Sequence, residues 1–227
     1  MYIYGKNAVT EALNKEKIRE AFLYKNFTDK DILNKLMVKN IKINYKGKKE
    51  LDKLVKGNHQ GVILKVDDYQ YSSLNEIIES DVIVMLDHLE DPHNFGAIIR
   101  TCEAAGVKSI IIPKDRAVKV TSAVIKVSVG AIENVKIAMV NNLVNTIKKL
   151  KKEGYWIIGT DMQGTDFKDI DYSGKIVIII GSEGNGLSRL VAENCDFIVS
   201  IPMRGKVNSL NASVAAALVI YEAVRNR

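Results

Sequence analysis

The distribution of apolar residues divides the chain into two parts with different patterns. Up to about residue 66, short apolar segments alternate with amphipathic, lysine-rich ones, and this alternation predicts a small α/β domain. The predicted helices are KNAVTEALNK, DKDILNKLMVKN and KKELDKLVK, and the predicted strands are REAFLY, IKINY and GVILKV. The polar segment DDYQYSSLNEIIESD follows. We therefore expect one domain at residues 1–67, a linker at 68–77 and a second domain at 78–227.

From residue 81 onward, apolar runs and helical segments follow one another in turn. The predicted strands are DVIVMLDHL, KSIIIP, YWIIGTD, KIVIIIGSE and FIVSIPM. The predicted helices begin near Asn94, run through TSAVIKVSVGAIE and NNLVNTIKKLKKEG, and end with a long helix to Arg227. Continuous Val and Ile runs indicate strands buried on both faces, so the fold class is α/β with a parallel sheet covered by helices. In such sheets, ligands bind beyond the carboxyl ends of the strands.

Composition narrows the classes of protein that fit. The 227 residues are 47% hydrophobic, which suffices for one medium core or a core with a small accessory domain. No apolar run reaches about 18 residues, and the first residues lack the pattern of a signal peptide, so we expect a cytoplasmic protein with no membrane partner. Cys102 and Cys195 lie in apolar segments without metal or disulfide spacing, which predicts buried free thiols.

The positive charge is concentrated at the front of the chain. Residues 1–66 hold 15 Lys and Arg against 7 Asp and Glu, whereas the remaining residues hold 18 against 20. Phosphate contacts supply affinity that does not depend on nucleotide sequence, so a basic front part is typical of a domain that binds a polyanion. The alternative is that these lysines serve only solubility.

The segment DPHNFGAIIRTCEAAG places a single arginine, Arg100, on a helix that could pack without it. Phe95, Ile98, Ile99, Cys102 and Gly106 fall on one apolar stripe, and Arg100 points off that stripe. Taken alone, Arg100 reads as a solvated residue on a helix flank. Polar residues after two other strands make a functional role worth considering.

Two further loops carry polar groups at predicted strand ends. SEGNGLS surrounds Glu183 with glycines, which suits either a ligand cradle or a tight turn, and its spacing matches neither a dinucleotide fingerprint nor a phosphate loop. It also differs from the serine nucleophile elbow. In RGKVNSLNAS, the residues Asn208, Ser209 and Asn211 crowd a helix start at which one cap would suffice, so the surplus suggests ligand contacts.

These segments resemble a known family in order and spacing. DPHNFGAIIRTCEAAG, IVIIIGSEGNGLS and IPMRGKVNSLNASVAAA are similar to the three motifs of the SpoU family of RNA ribose 2′-O-methyltransferases, in the SPOUT superfamily. YIYGKNAVTEAL and HQGVILKV resemble the substrate-binding domain of the branch that methylates a guanosine of 23S ribosomal RNA. The resemblance implies an L30e-like RNA-binding domain, followed by a knotted domain that binds S-adenosylmethionine. Its trefoil knot is a rare exception to unthreaded topology.

The resemblance also implies roles for individual residues. Those expected to line the cofactor are Gly181, Ile201 and Leu210, with Thr160 as a weaker candidate. The arginine of the family motif, here Arg100, is the residue associated with activation of the 2′-hydroxyl. A guanidinium is a poor base, so we expect Arg100 to anchor a phosphate and stabilise developing alkoxide charge. Those expected to orient Arg100 and the ribose are Asn94, Glu183, Ser209 and Asn211.

Partners follow from the same resemblance, which implies a homodimer that acts on RNA and not on DNA. Stacking on bases is one interpretation of the front tyrosines Tyr2, Tyr4, Tyr24 and Tyr45, and core packing is the other. No metal is expected, because His88, His93, Asp87 and Asp91 lack metal-ligand spacing. The alternative functions are a tRNA ribose methyltransferase of the same family and a non-catalytic RNA-binding or ribosome-assembly protein. A generic nucleotide-binding α/β enzyme is less favoured.

Overall fold

The computed structural model describes residues 1–15 and 17–227, which form two compact units, Met1–Gln70 and Tyr71–Arg227. The segment expected to be a linker, 68–77, is therefore divided between the two units. Its second half contains the short helix α4, Leu74–Ile77, whose buried Ile77 belongs to the core of the second unit. The assignment of RNA binding to the front of the chain and methyl transfer to the rest stays a prediction.

The first unit is a four-stranded sheet with helices packed on it. Its elements are β1 (Tyr2–Tyr4), α1 (Lys6–Lys15), β2 (Ile18–Tyr24), α2 (Lys30–Val38), β3 (Lys42–Lys46), α3 (Lys48–Leu54) and β4 (Val62–Val66). The strand order is β1-β4-β2-β3, and only β2 and β3 run parallel. The six predicted elements are confirmed. Sequence reasoning missed β1, because three residues are too few to display an alternating pattern.

The second unit contains the parallel sheet that the Val and Ile runs predicted. After α4 its elements are β5 (Val82–Leu86), α5 (Pro92–Ala104), β6 (Ser109–Pro113), α6 (Ser122–Ser128), β7 (Lys136–Val140), α7 (Leu143–Lys152), β8 (Trp156–Asp166), β9 (Ile176–Ile180), α8 (Arg189–Ala192), β10 (Phe197–Ser200) and α9 (Ala212–Val224). Every residue of β5, β6 and β9 is buried. The α/β fold class is thus confirmed, whereas the knot remains a prediction.

One prediction within this unit was incomplete. The helix expected through TSAVIKVSVGAIE stops at Ser128, where Val129 adopts a left-handed conformation and a single 3-10 turn, Ala131–Asn134, follows. The chain then forms β7, which sequence analysis did not anticipate. Because β7 is an edge strand of five residues that directly follows a helical pattern, its apolar residues read as a continuation of that pattern.

The order of the strands determines where a ligand can bind. The sheet reads β10-β8-β9-β5-β6-β7, so the chain builds outward from β5 in one direction and then returns to fill the other side. The order in which strands are added reverses between β5 and β9. These two strands are parallel, and they are paired from Val82 and Ile176 to Leu86 and Ile180. In open parallel sheets, the crevice beyond the carboxyl ends at such a reversal is the usual ligand site.

Helix α5 begins directly beyond β5 and closes one side of this crevice. Asp91 caps the helix by accepting hydrogen bonds from the backbone N–H groups of His93 and Asn94, at 3.1 and 3.3 Å, and Pro92 occupies the first helical position. Four members of the predicted apolar stripe are fully buried, Phe95, Ile98, Ile99 and Cys102. The fifth, Gly106, lies beyond the end of the helix and is exposed, so the prediction was wrong for that residue. Burial raises the pKa of the Cys102 thiol, which is free and neutral.

Cys195 is also a free thiol, but it is only half-buried.

Among the helices that the structure describes, none is long and apolar enough to cross a bilayer.

We expect Gly96→Ala to destabilise the second unit by about 1–3 kcal/mol, because overpacking a close contact forces the backbone to shift. A Cβ at position 96 would lie 2.6 Å from Cβ of Val127 and 3.1 Å from the carbonyl oxygen of Val124, both on α6. Gly205→Ala is the matched control, since a Cβ there meets nothing within 4 Å. Urea unfolding of the two variants measures the difference, and equal midpoints would contradict the close α5–α6 contact.

Candidate active site

Two predicted site residues meet at the crevice between β5 and β9. Asn94, in the first turn of α5, is 7% exposed, and its Nδ2 donates a hydrogen bond to Oε1 of Glu183 in the loop after β9. Partial desolvation raises the pKa of Glu183, and the charges of Asp91 and Glu90 act in the same direction. The adjacency of the two strands therefore brings together side chains that are 89 positions apart in sequence.

The loop that carries Glu183 is a tight turn closed by backbone hydrogen bonds. Ser182 and Gly186 each donate an N–H to the carbonyl oxygen of the other, at 3.0 Å. Gly184 and Gly186 have φ angles of 83° and 62°, a region that favours glycine. A Cβ on Gly181 would lie 2.3 Å from the carbonyl carbon of Gly186, so the packing of the loop on itself already requires glycine at position 181.

Asp87 anchors the far end of the same loop, a role that sequence analysis did not assign to it. Its buried carboxylate accepts a hydrogen bond from the backbone N–H of Ser188 at 2.6 Å, and its other oxygen lies 2.6 Å from Nδ1 of His88. The Asp87 N–H also donates to the carbonyl oxygen of Ile180 at 2.8 Å. The available signal was its position directly after β5, since that is where ligand-site residues are expected in a parallel sheet.

At the start of α9, one polar residue caps the helix and Ser209 does not take part in the cap. Asn211 is the cap, because its Oδ1 accepts hydrogen bonds from the N–H groups of Ser213 and Val214 and from the Ser213 hydroxyl. Ser209 is exposed and forms no hydrogen bond within the described part of the chain. The cap therefore leaves the Ser209 hydroxyl and the amide nitrogen of Asn211 available to a ligand.

The segment between β10 and the Asn211 cap carries two of the predicted cofactor residues. Across residues 201–210, backbone N–H and C=O groups make no hydrogen bond to any residue that the structure describes. Its ends, Ile201 and Leu210, are half-buried. Unpaired main-chain groups beside apolar side chains are suited to an adenine ring, so this segment fits the chemistry of S-adenosylmethionine.

Three of the predicted cofactor residues lie in or directly after strands that are neighbours in the sheet. Gly181 follows β9, Ile201 follows β10, and Thr160 lies in β8 between those two strands. The Thr160 hydroxyl donates to the carbonyl oxygen of Ile179 at 3.0 Å, so this side chain already ties β8 to β9. Beyond Gly159 the ladder between β8 and β10 is interrupted until Thr165, which pairs with Val199.

Arg100 lies about two turns along α5 from Asn94 and is exposed. It lines a cavity of about 310 Å³ whose other residues are Ala97, Thr101, Ala104, Val127 and Tyr221. Within the ranges that the structure describes, the guanidinium forms no hydrogen bond or ion pair. The structure therefore pairs Asn94 with Glu183 and leaves Arg100 without a protein partner, beside helices α5, α6 and α9.

The described residues include no group of side chains placed to bind a metal ion. None of them form a group of three or more His, Cys, Asp or Glu side chains placed to hold an ion. His88 is instead engaged with Asp87, and Asp91 is engaged as the cap of α5.

The sequence matches two protein-family models that together span nearly all of it. The model described as the SpoU rRNA Methylase family matches residues 81–221. The chain belongs to the SpoU methylase family. A second model, described as RNA 2′-O ribose methyltransferase substrate binding, matches residues 2–72. The protein is therefore an RNA 2′-O-methyltransferase of the SpoU type that uses S-adenosylmethionine.

Relatives and solved structures agree with this assignment. The Bacillus subtilis (strain 168) protein YacO, which is named in the TrmH family of tRNA/rRNA methyltransferases, is 42% identical, and the match covers 100% of this chain and 96% of YacO. The AdoMet-bound rRNA methyltransferase from Sinorhizobium meliloti is 26% identical with a TM-score of 0.72, over 99% of this chain and 86% of that one. The A. aeolicus TrmH/SpoU tRNA modifying enzyme is 32% identical with a TM-score of 0.61, over 68% and 82%.

We expect Asp87→Ala to lower the free energy of unfolding by about 1–3 kcal/mol and to weaken binding of S-adenosylmethionine, because the Ser188 N–H loses its acceptor and the loop after β9 loosens. Asp87→Asn keeps an acceptor oxygen and should lose less. Asp115→Ala, at an exposed position after β6, is the control. Urea unfolding and calorimetric titration with the cofactor measure both effects. Unchanged cofactor affinity in Asp87→Ala would show that the anchor does not shape the cofactor loop.

Proposed function

We propose that this enzyme methylates the 2′-hydroxyl of a guanosine in 23S ribosomal RNA. The observation that carries the proposal is the basic first unit, which matches a family model for RNA substrate binding over residues 2–72. An enzyme that selects one site in a large RNA needs binding surface beyond the catalytic crevice, and a domain with an excess of Lys and Arg supplies it. The choice of guanosine rests on the resemblance of YIYGKNAVTEAL and HQGVILKV to that branch of the family.

Coverage of the solved structures supports ribosomal RNA over tRNA. The Sinorhizobium meliloti protein, named an rRNA methyltransferase, matches 99% of the chain, and the tRNA modifying enzyme of A. aeolicus matches 68%. tRNA remains the second candidate substrate, because the catalytic part matches that tRNA enzyme with 32% identity and YacO is named for both kinds of RNA.

The cofactor supplies an electrophilic methyl group on a sulfonium. In this proposal, the free backbone groups of residues 201–210 would hold its adenine, and Ile201, Leu210 and the main chain of Gly181 would line the site. The Glu183 loop and Asn94 close the crevice on the side of β5. These residues would align the methyl group with the ribose, and such alignment lowers the barrier to transfer.

Arg100 is suited to the RNA side of the reaction because nothing in the described chain neutralises it. In this proposal, the guanidinium binds the phosphate next to the target ribose in a two-pronged contact and stabilises the negative charge that develops on the 2′-oxygen. The proton of the hydroxyl leaves to the phosphate or to water, since an arginine does not accept it. Ser209 and Asn211 orient the ribose from the start of α9.

A second copy of the chain would complete the surroundings of Arg100. Helix α9 exposes Val214, Leu218 and Tyr221, each about half accessible and spaced four and three residues apart, so they form one apolar row. Tyr221 also lines the Arg100 cavity. A homodimer that buries this row would place a second subunit beside the catalytic arginine.

Arg100→Lys should lower the rate of methyl transfer roughly a hundredfold at saturating RNA, because an ammonium reproduces the charge but not the fork geometry. Arg225→Lys, on the surface at the end of α9, is the matched control and should retain activity. The assay measures labelled methyl transfer to unmodified 23S rRNA and, separately, to tRNA, and then maps the alkali-resistant linkages. One resistant guanosine in 23S rRNA supports the proposal, whereas labelled tRNA alone overturns the substrate. Near-normal turnover of Arg100→Lys would contradict the phosphate role.

Leu218→Lys should convert the proposed dimer into monomers, because it places a charge in the centre of the apolar row. Lys is well tolerated on an exposed helix face, so the variant should fold. Lys126→Ala on α6 is a surface control. Sedimentation equilibrium gives the mass of each protein, and a wild-type protein that sediments as a monomer at micromolar concentration would refute the dimer.

A further inference from the structure

The first unit contains a cavity that the catalytic crevice does not account for. Its volume is about 450 Å³, within the range of about 300–1,000 Å³ that small-molecule sites occupy. Two connections form most of the wall, the one between β2 and α2 and the one between α3 and β4. Its lining includes Lys6, Tyr24, Phe27, Lys48, Asn58 and Gln60.

The wall is held by hydrogen bonds around His59. The Gly61 N–H donates to Nδ1 of His59 at 2.9 Å, so the ring proton lies on Nε2 and donates to Oδ1 of Asp52 at 3.0 Å. Gln60 and Gly61 both have positive φ angles, 51° and 81°, and the Tyr24 N–H donates to the carbonyl oxygen of Gly61 at 2.8 Å. The turn is thus fixed against β2, and the cavity is preformed.

Aromatic groups line one part of this cavity. Tyr24, the last residue of β2, is 37% exposed, and Phe27 lies on the connection that follows it. A Cβ at position 61 would approach both residues to 3.3 Å, so glycine there keeps the wall open around them. An exposed aromatic ring beside a cavity is a stacking surface for a flat, polarisable group.

Polar groups and an unpaired cation line the rest. Gln60 accepts the Lys6 N–H at 2.7 Å, and Asn58 accepts the Gln60 N–H at 3.3 Å, which leaves the NH₂ groups of both amides without a partner in the described residues. Lys6 forms an ion pair with Asp29 at 3.1 Å. Lys48 forms none within the part of the chain that the structure describes. The cavity therefore offers a stacking face, two amide donors and one free positive charge.

We infer that this cavity binds one unpaired nucleobase of the substrate RNA, stacked on Tyr24, with an adjacent phosphate on Lys48. Stacking needs a base outside a duplex, because paired bases present no free face. Carbonyl oxygens and ring nitrogens on the edge of a base are acceptors for the amides of Asn58 and Gln60. The inference rests on the proposed function, since it assigns a contact within the RNA-binding role of this unit.

The other predicted stacking tyrosines are placed differently. Tyr2 packs against Phe22 with ring centroids 6.1 Å apart, and Tyr4 belongs to the same small cluster, so these two serve packing. Tyr45 is exposed on β3, where it pairs in register with Leu23 and not with Tyr24. Because side chains alternate along a strand, Tyr45 lies on the opposite face of the sheet from Tyr24 and serves as a control.

The test compares two RNAs with the full-length protein in the absence of cofactor. The probes are a fluorescein-labelled RNA hairpin with an unpaired loop and a fully paired RNA duplex with the same number of phosphates. We expect Tyr24→Ala to weaken hairpin binding about tenfold, measured by anisotropy, and to leave duplex binding unchanged. Tyr24→Phe keeps the ring and should bind as the wild type does, as should Tyr45→Ala. Lys48→Ala should weaken hairpin binding and reduce its salt dependence.

A second readout reports stacking directly. An RNA hairpin with 2-aminopurine in the loop should lose fluorescence when it binds the wild-type protein, and Tyr24→Ala should abolish that loss. Equal weakening of hairpin and duplex by Tyr24→Ala, or no weakening of either, would overturn the inference. Because these measurements require no methyl transfer, an enzyme that fails to modify 23S rRNA but shows the hairpin effect would refute only the proposed function. Normal modification of 23S rRNA without the hairpin effect would refute only the inference that the cavity binds a nucleobase.

Discussion

The pairing of β5 with β9 is the constraint on which the catalytic part of the molecule depends. The two strands come from distant parts of the sequence, lie side by side with every residue buried, and end at the same level of the sheet. Their shared register places Asp87 beneath the loop that carries Glu183 and sets Asn94 across from that loop. A slip in this register would separate the two loops, so the apolar contacts of the two strands specify the geometry of the crevice.

Near the crevice, the Arg100 guanidinium and the backbone of residues 201–210 have no partner among the residues that the structure describes. Most polar groups at the crevice are satisfied within the fold, whether as helix caps, as in Asp91 and Asn211, or as the pairing of Asn94 with Glu183. Against this background, the lone guanidinium of Arg100 and the free backbone after β10 are conspicuous. Solvated or unpaired groups next to apolar surface can exchange water for a ligand, whereas satisfied groups mainly hold the framework in place.

Sequence reasoning reached the fold of the second unit through continuous Val and Ile runs, because such runs are typical of strands buried on both faces. It missed β1, which has only three residues, and β7, an edge strand whose apolar residues directly follow a helical pattern. The polar positions at strand ends were identifiable because a parallel sheet gathers those ends at one edge. The sequence could not show which of these polar residues are used within the fold and which remain available to a ligand. Only coordinates reveal that Asn211 is the cap of α9 and that Asp87 is an internal anchor.

The contact between Gly181 and Gly186 bears on how the ancestry and activity of such proteins are read. Glycine at position 181 is imposed by the turn itself, whether or not a cofactor ever binds. A descendant that had abandoned methylation but kept its architecture would still need this glycine, while its counterpart of Arg100 would be free to drift. The glycine is thus a marker of shared shape, and the arginine is the better marker of retained chemistry.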